Sequence, residues 1–180
     1  MKRALIIAAD GVEMTEAIGT YDVLRRSGTI VPSFASLRDN LVRSSMNVDF
    51  VADPLESLDL EGFDFLVLPG GKEGVERIKN STKAREVIDD FIAKGKHVHA
   101  ICAAPSILGE IGYLKGKMYT CYPGFQSKEG EWIDTGVVCD QGLVTGRSMG
   151  FTIPFALKII ELEAGVDAAE KARKGIEGIK

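Results

Sequence analysis

Three short runs constrain what this chain can fold into. KRALIIAA near the start, DFLVLP in the middle and HVHAI before the first cysteine are each strand-length, largely apolar and closed by small or turn-forming residues. A strand that is apolar at nearly every position is buried on both faces, as happens in parallel sheets covered by helices on either side. The intervening segments fit that reading. Residues 15–27 carry Ile18, Tyr21, Val23 and Leu24 and stop at Gly28, with Thr15 or a neighbour available as the helix cap. STKAREVIDDFIAKG starts with Ser81 or Thr82 and ends at Gly95, and SILGEI follows the cysteine. GFTIPFALKIIELEAG reads as a helix with Pro154 tolerable only near its first turn, and VDAAEKARKGIEGIK as a polar final helix. TIVPSFASL is a further strand. LVRSSMNVDFVAD predicts a small hairpin, and KMYTCY, GVVCD and GLVTG predict short β pieces. Repeated β–α units of this kind predict an α/β fold with a mostly parallel sheet between helical layers, and no linker or repeat divides residues 1–180 into more than one expected domain.

Composition removes several function classes. Hydrophobic residues make up 45% of the 180 and charged ones 27%, with interleaved signs and a net charge of −4. No basic stripe suggests nucleic acid, and no basic face suggests a membrane surface. The opening apolar run is stopped by Asp10 before any cleavage-like site, and no run approaches the roughly 18 apolar residues of a membrane span. Three widely spaced cysteines, Cys102, Cys121 and Cys139, contain no CxxC pair, so a reducing cytoplasmic setting is expected.

In a parallel α/β sheet, ligands bind beyond the carboxyl ends of the strands. The first run leads there into Asp10-Gly11-Val12-Glu13-Met14-Thr15-Glu16, the second into Gly70-Gly71, and the third into Cys102-Ala103-Ala104-Pro105. One mouth therefore collects carboxylates, a glycine turn and a thiol. A cysteine at a strand–helix turn faces unpaired N–H groups that favour the thiolate; the alternative is a small buried cysteine in a β–α connection. Gly70 and Gly71 allow close backbone approach and aim N–H groups at an oxyanion, or simply make a tight turn. Glu13 and Asp10 compete with Glu16 for a role at the site. His97 and His99 lie on one strand face, and no neighbouring residue in sequence completes a metal site, so none is expected.

VLPGG, AICAAP about 30 residues later, EAIGTYDVLRRSG after the first strand, and LVTGRSMGFTIPFALKIIELEAG resemble the ThiJ/PfpI superfamily, most nearly its DJ-one branch. The resemblance implies a flavodoxin-like sandwich related to class I glutamine amidotransferases, commonly a homodimer. It implies that Cys102 is a nucleophile at an elbow, that Glu16 hydrogen-bonds its sulfur as a protonated carboxyl, and that amides near Gly71 and Ala103 line an oxyanion pocket, with no cofactor. Peptidase-type members have a histidine directly after the cysteine, where this chain has Ala103; the histidine usual in the DJ-one branch falls at Tyr122. With no histidine downstream of Cys102, peptidase and amidotransferase chemistry are disfavoured. The remaining expectation is a glyoxalase or deglycase acting on a small reactive α-dicarbonyl through Cys102, with Glu16 as acid/base. The alternative is a redox sensor or chaperone whose Cys102 oxidises to sulfinate with little turnover. Tyr122 and Arg26 are further possible site residues. A two-fold interface is expected on the first helix, around Tyr21, Leu24, Arg25 and Arg26.

Overall fold

The structure, a computed structural model, describes residues 1–179. The elements run β1 (Lys2–Ala8), α1 (Met14–Arg26), β2 (Ile30–Ser36), β3 (Leu41–Arg43), β4 (Asp49–Val51), β5 (Asp53–Pro54), β6 (Phe65–Leu68), α2 (Lys72–Lys79), α3 (Thr82–Ala93), β7 (His97–Ile101) and α4 (Pro105–Glu110). After them come β8 (Met118–Tyr119), β9 (Glu131–Trp132), β10 (Val137–Asp140), β11 (Leu143–Gly146), α5 (Thr152–Ala164) and α6 (Val166–Glu177). Seven strands form one sheet in the order β10-β11-β7-β6-β1-β2-β5, with only β10 antiparallel to its neighbour. This is the α/β sandwich that the apolar runs predict.

Both faces of the sheet are covered, which is why its central strands need no polar alternation. On β1, Leu5 and Ile7 join one core with Val75, Ile78, Ile88, Phe91 and Ile107 from α2, α3 and α4. Ala4 and Ile6 join the opposite core with Val23, Leu24, Phe155, Ile159 and Ile160 from α1 and α5. β3 and β4 form the expected hairpin, pairing Leu41 with Val51 and Arg43 with Asp49.

Several details differ from the sequence reading. Thr15 is not the cap of α1: Glu13 is, accepting the Thr15 N–H on its side chain. Ile18 faces out of α1, while Glu16 and Thr20 are buried. Helix α2 was unanticipated, because KEGVERIK is short, highly charged and carries an internal glycine; its buried side, Gly74, Val75 and Ile78, emerges only once it packs. Pro154 is the third residue of α5, where the absent N–H is not missed.

The parallel register sets the site. Leu68 pairs with Ala100, and Gly146 with Ile101, so β6, β7 and β11 end side by side. The residues that follow them, Gly70-Gly71, Cys102 and Arg147, share one end of the sheet with the β1–α1 loop.

Candidate functional site around Cys102

Cys102 terminates β7 in the left-handed region, φ 65°, one of three non-glycine residues with positive φ among those described. Such a conformation costs a non-glycine residue about 1–3 kcal/mol and persists where surrounding structure enforces it. Here the Cys102 N–H donates to the Gly146 carbonyl (2.9 Å), and its carbonyl accepts the Tyr122 N–H (2.8 Å). Pro105 then opens α4 at its first position. This helix has only six residues, so local amides rather than a long helix dipole act on the thiol: the N–H groups of Gly71 and Ala103 are directed at the sulfur.

Of the three candidate carboxylates, the structure brings Glu16 to the thiol. Glu16 is fully buried in the first turn of α1 and accepts the Gly70 N–H at 2.8 Å. Glu13 is occupied with capping α1, and Asp10 accepts the Arg43 N–H at 2.8 Å. Gly70 sits between acid and thiol. A Cβ there would lie 2.6 Å from Glu16 Oε2, 2.6 Å from Cys102 Cβ and 3.1 Å from its Sγ. Gly71 is equally constrained: at φ 91°, its Cβ would meet the Gly11 carbonyl oxygen at 2.3 Å.

Burial dominates the electrostatics. It lifts Glu16 from 4.5 to about 7, against the pull of the Gly70 N–H and the Cys102 thiol and with a small push from the Glu13 charge. Burial also raises the thiol, and Glu16 raises it further by charge and hydrogen bond, while the Gly71 and Ala103 amides oppose both. The expectation of a thiol acidified at a helix start is therefore corrected: burial and Glu16 together push Cys102 up, and only the two local amides pull it down. When Glu16 keeps its proton, its charge no longer opposes the thiolate and its O–H becomes a donor to sulfur. Glu16 Oε1 is buried without a hydrogen-bond partner, a position that a neutral carboxyl tolerates better than a carboxylate.

The other predicted residues separate by position. Tyr122 is tied to the elbow by backbone, with its side chain exposed. Arg26 lies ten residues along α1 from Glu16, about 15 Å, and is paired with Asp22 at 2.7 Å; it is set apart from Cys102. Leu24 is wholly in the core and unavailable to an interface. Cys121 is fully buried in the core on the α3–α4 side of the sheet, whereas Cys102 packs toward the α1–α5 side. Two clefts, of about 360 and 540 Å³, share Asp10 and Arg77 as lining; Cys102 lines neither.

At the opposite end of β7 the structure completes a cluster that the sequence did not show. Glu163 of α5 meets His97, His99 and Lys2, so three metal-type donors do converge. Their hydrogen bonds argue against a metal. The Val144 N–H donates to His99 Nδ1 (3.1 Å), so Nε2 carries the ring proton toward Glu163 at 3.3 Å and has no lone pair to offer. Lys2 holds the other carboxylate oxygen at 2.6 Å. The cluster clasps β1 and β7 to α5.

The chain matches the family described as DJ-1/PfpI over residues 2–162. It is 38% identical to Protein DJ-1alpha of Drosophila melanogaster, covering 97% of this chain and 83% of the fly protein. It is 33% identical to a Pyrococcus abyssi protein named a deglycase, covering 89% and 98% of the two. Among solved structures, oxidized Toxoplasma gondii DJ-1 superposes with a TM-score of 0.92 at 30% identity, over 98% of each chain.

Proposed function

The chain belongs to the DJ-1/PfpI family, and from that premise we propose that it is a cofactor-independent glyoxalase or deglycase acting on small α-dicarbonyls. The observation that carries this reading is the placement of Cys102 and Glu16 on either side of Gly70, with the Gly71 and Ala103 amides at the sulfur. The deglycase name of the archaeal relative points the same way. In methylglyoxal, the thiolate adds to the aldehyde carbon, the C=O pair moves to oxygen, and the Glu16 proton gives a hemithioacetal. The Glu16 carboxylate then takes the C–H proton and returns it to the adjacent carbon, while the hemithioacetal hydroxyl proton passes to the former ketone oxygen, leaving a lactoyl thioester. Water cleaves that thioester, so substrate plus water becomes lactate with no external oxidant or reductant. Both histidines sit in the Glu163 clasp, so Glu16 is the acid/base that the geometry offers.

The test is lactate formation from methylglyoxal without glutathione. Cys102→Ser is expected to abolish it, and Glu16→Gln to lower it by on the order of 10²-fold or more, the usual general acid–base contribution. Glu13→Gln, which keeps its capping oxygen, is expected to leave it nearly unchanged. Activity surviving in Cys102→Ser, or lost in Glu13→Gln but not Glu16→Gln, refutes the assignment.

A second reading, a redox sensor or chaperone, is favoured by the buried Glu16 carboxyl, whose Oε2 flanks Gly70 opposite the sulfur and whose Oε1 has no partner. A protonated carboxyl there would hold a sulfinate oxygen. Mild peroxide is then expected to add two oxygens at Cys102, read by peptide mass. A Cys102–Cys121 disulfide would contradict it. We also propose a two-fold dimer. Ile18, Met46, Val48 and Ile153 are exposed apolar residues suited to such a face. Light scattering that returned a 19.5 kDa particle would exclude it. Three free thiols suit a reducing cytoplasm.

A further inference from the structure

Tyr122 is fixed at the nucleophile by its backbone, leaving its ring free. Its N–H donates to the Cys102 carbonyl at 2.8 Å. Its own carbonyl accepts the Phe125 N–H at 3.0 Å, closing a turn through Pro123 and Gly124, the latter at φ 94°. Proline followed by a positive-φ glycine is the sequence a tight type II turn requires. Phe125 packs onto the core and meets the Tyr122 ring edge-on, with centroids 6.3 Å apart and planes at 70°. Phe125 thus braces the tyrosine, which remains 47% exposed while its backbone is bonded to that of Cys102. A braced, exposed aromatic is a stacking platform that loses little side-chain freedom when it is used.

We propose that Tyr122 is a specificity-determining residue of the Cys102 site, its ring stacking the planar aryl group of an arylglyoxal while the thiolate adds to the aldehyde carbon. This rests on the cysteine-addition reading above. The bond changes are those of methylglyoxal: sulfur bonds to carbon, the carbonyl pair goes to oxygen, and Glu16 supplies the proton. The aryl group stays outside the reacting atoms, so Tyr122 acts on binding and position, and its hydroxyl is not required.

Phenylglyoxal and methylglyoxal turnover are compared in the wild type, Tyr122→Phe and Tyr122→Ala; all three keep the N–H that holds the elbow. Tyr122→Ala is expected to raise KM for phenylglyoxal about 5-fold, the scale of one aromatic pair, with kcat held and methylglyoxal KM within about twofold. Tyr122→Phe should match the wild type. A second readout needs no turnover: the ratio of Cys102 labelling by phenacyl bromide to labelling by iodoacetamide, by peptide mapping, should fall about 5-fold in Tyr122→Ala. If neither dicarbonyl is turned over yet that ratio falls, the glyoxalase reading fails and the platform stands. An unchanged ratio in Tyr122→Ala overturns the platform, as does equal loss on both dicarbonyls.

Discussion

Gly70 has no room for a side chain, because Glu16 and Cys102 close on it from either side. Adding a methyl group there would drive it into Glu16 Oε2 and Cys102 Cβ, both at 2.6 Å. Neither can yield without separating acid from thiol. Gly70→Ala is therefore expected to cut Cys102-dependent lactate formation by at least about 10²-fold while the circular dichroism spectrum is retained. Full activity in that variant would show that the close approach has no part in the chemistry. Glu16 has its own signature in stability. Its acid is raised from 4.5 to about 7, so folding favours the protonated form; its contribution is present below pH 4.5 and lost as pH climbs through 7. Replacing it with glutamine is expected to remove a decline of up to about 3 kcal/mol across that window, measured by urea unfolding at pH 5 and pH 8. Equal pH dependence in both proteins would mean Glu16 is not held protonated.

The elements show which parts of the site the sequence carried. Cys102, Gly70 and Gly71 were readable because each follows an apolar strand, and parallel strands must end together. Choosing Glu16 over Glu13 was not possible from spacing alone. Both stand at the start of α1, and only the helix boundary decides that Glu13 caps while Glu16 turns inward. Glu163 was invisible beside His99 because 64 residues separate them and only packing of α5 on the sheet joins them. Helix α2 was hidden because its apolar side is three residues within a charged octet. By contrast, α3 was plain from its punctuation: Ser81 caps it through the Ala84 N–H, and Gly95 follows its end. Ser81→Ala is expected to cost about 1 kcal/mol, a fall in Tm of roughly 2–4 °C for a chain of this size. No shift in a thermal melt would show that the cap adds nothing.

Across the whole molecule, the two ends of β7 hold opposite electrostatic designs. At the clasp, burial alone would raise Glu163, but hydrogen bonds from His99, Lys2 and His97 hold it at about 2. Its contribution is present above pH 4.5 and is lost as pH falls toward 2. Glu163→Gln is thus expected to unfold more readily at pH 7 and to lose part of the wild type's acid sensitivity; an unchanged acid melt would remove the clasp from the stability of the fold. At the carboxyl end of the strand, no cation meets Glu16 in a hydrogen bond or ion pair among the described residues; burial raises both it and the Cys102 thiol, and we propose that the two share a single charge. In the proposed function, that sharing lets Cys102 act as a nucleophile without a histidine. It is tested most directly by the pH dependence of Cys102 alkylation, mapped by peptide mass, in wild type and Glu16→Gln. In the wild type, Cys102 is expected to label faster than Cys121 and Cys139, with a step near pH 7 that Glu16→Gln displaces. Superimposable profiles in the two proteins, or faster labelling of Cys121 or Cys139 near neutral pH, would contradict a shared charge at Cys102 and Glu16.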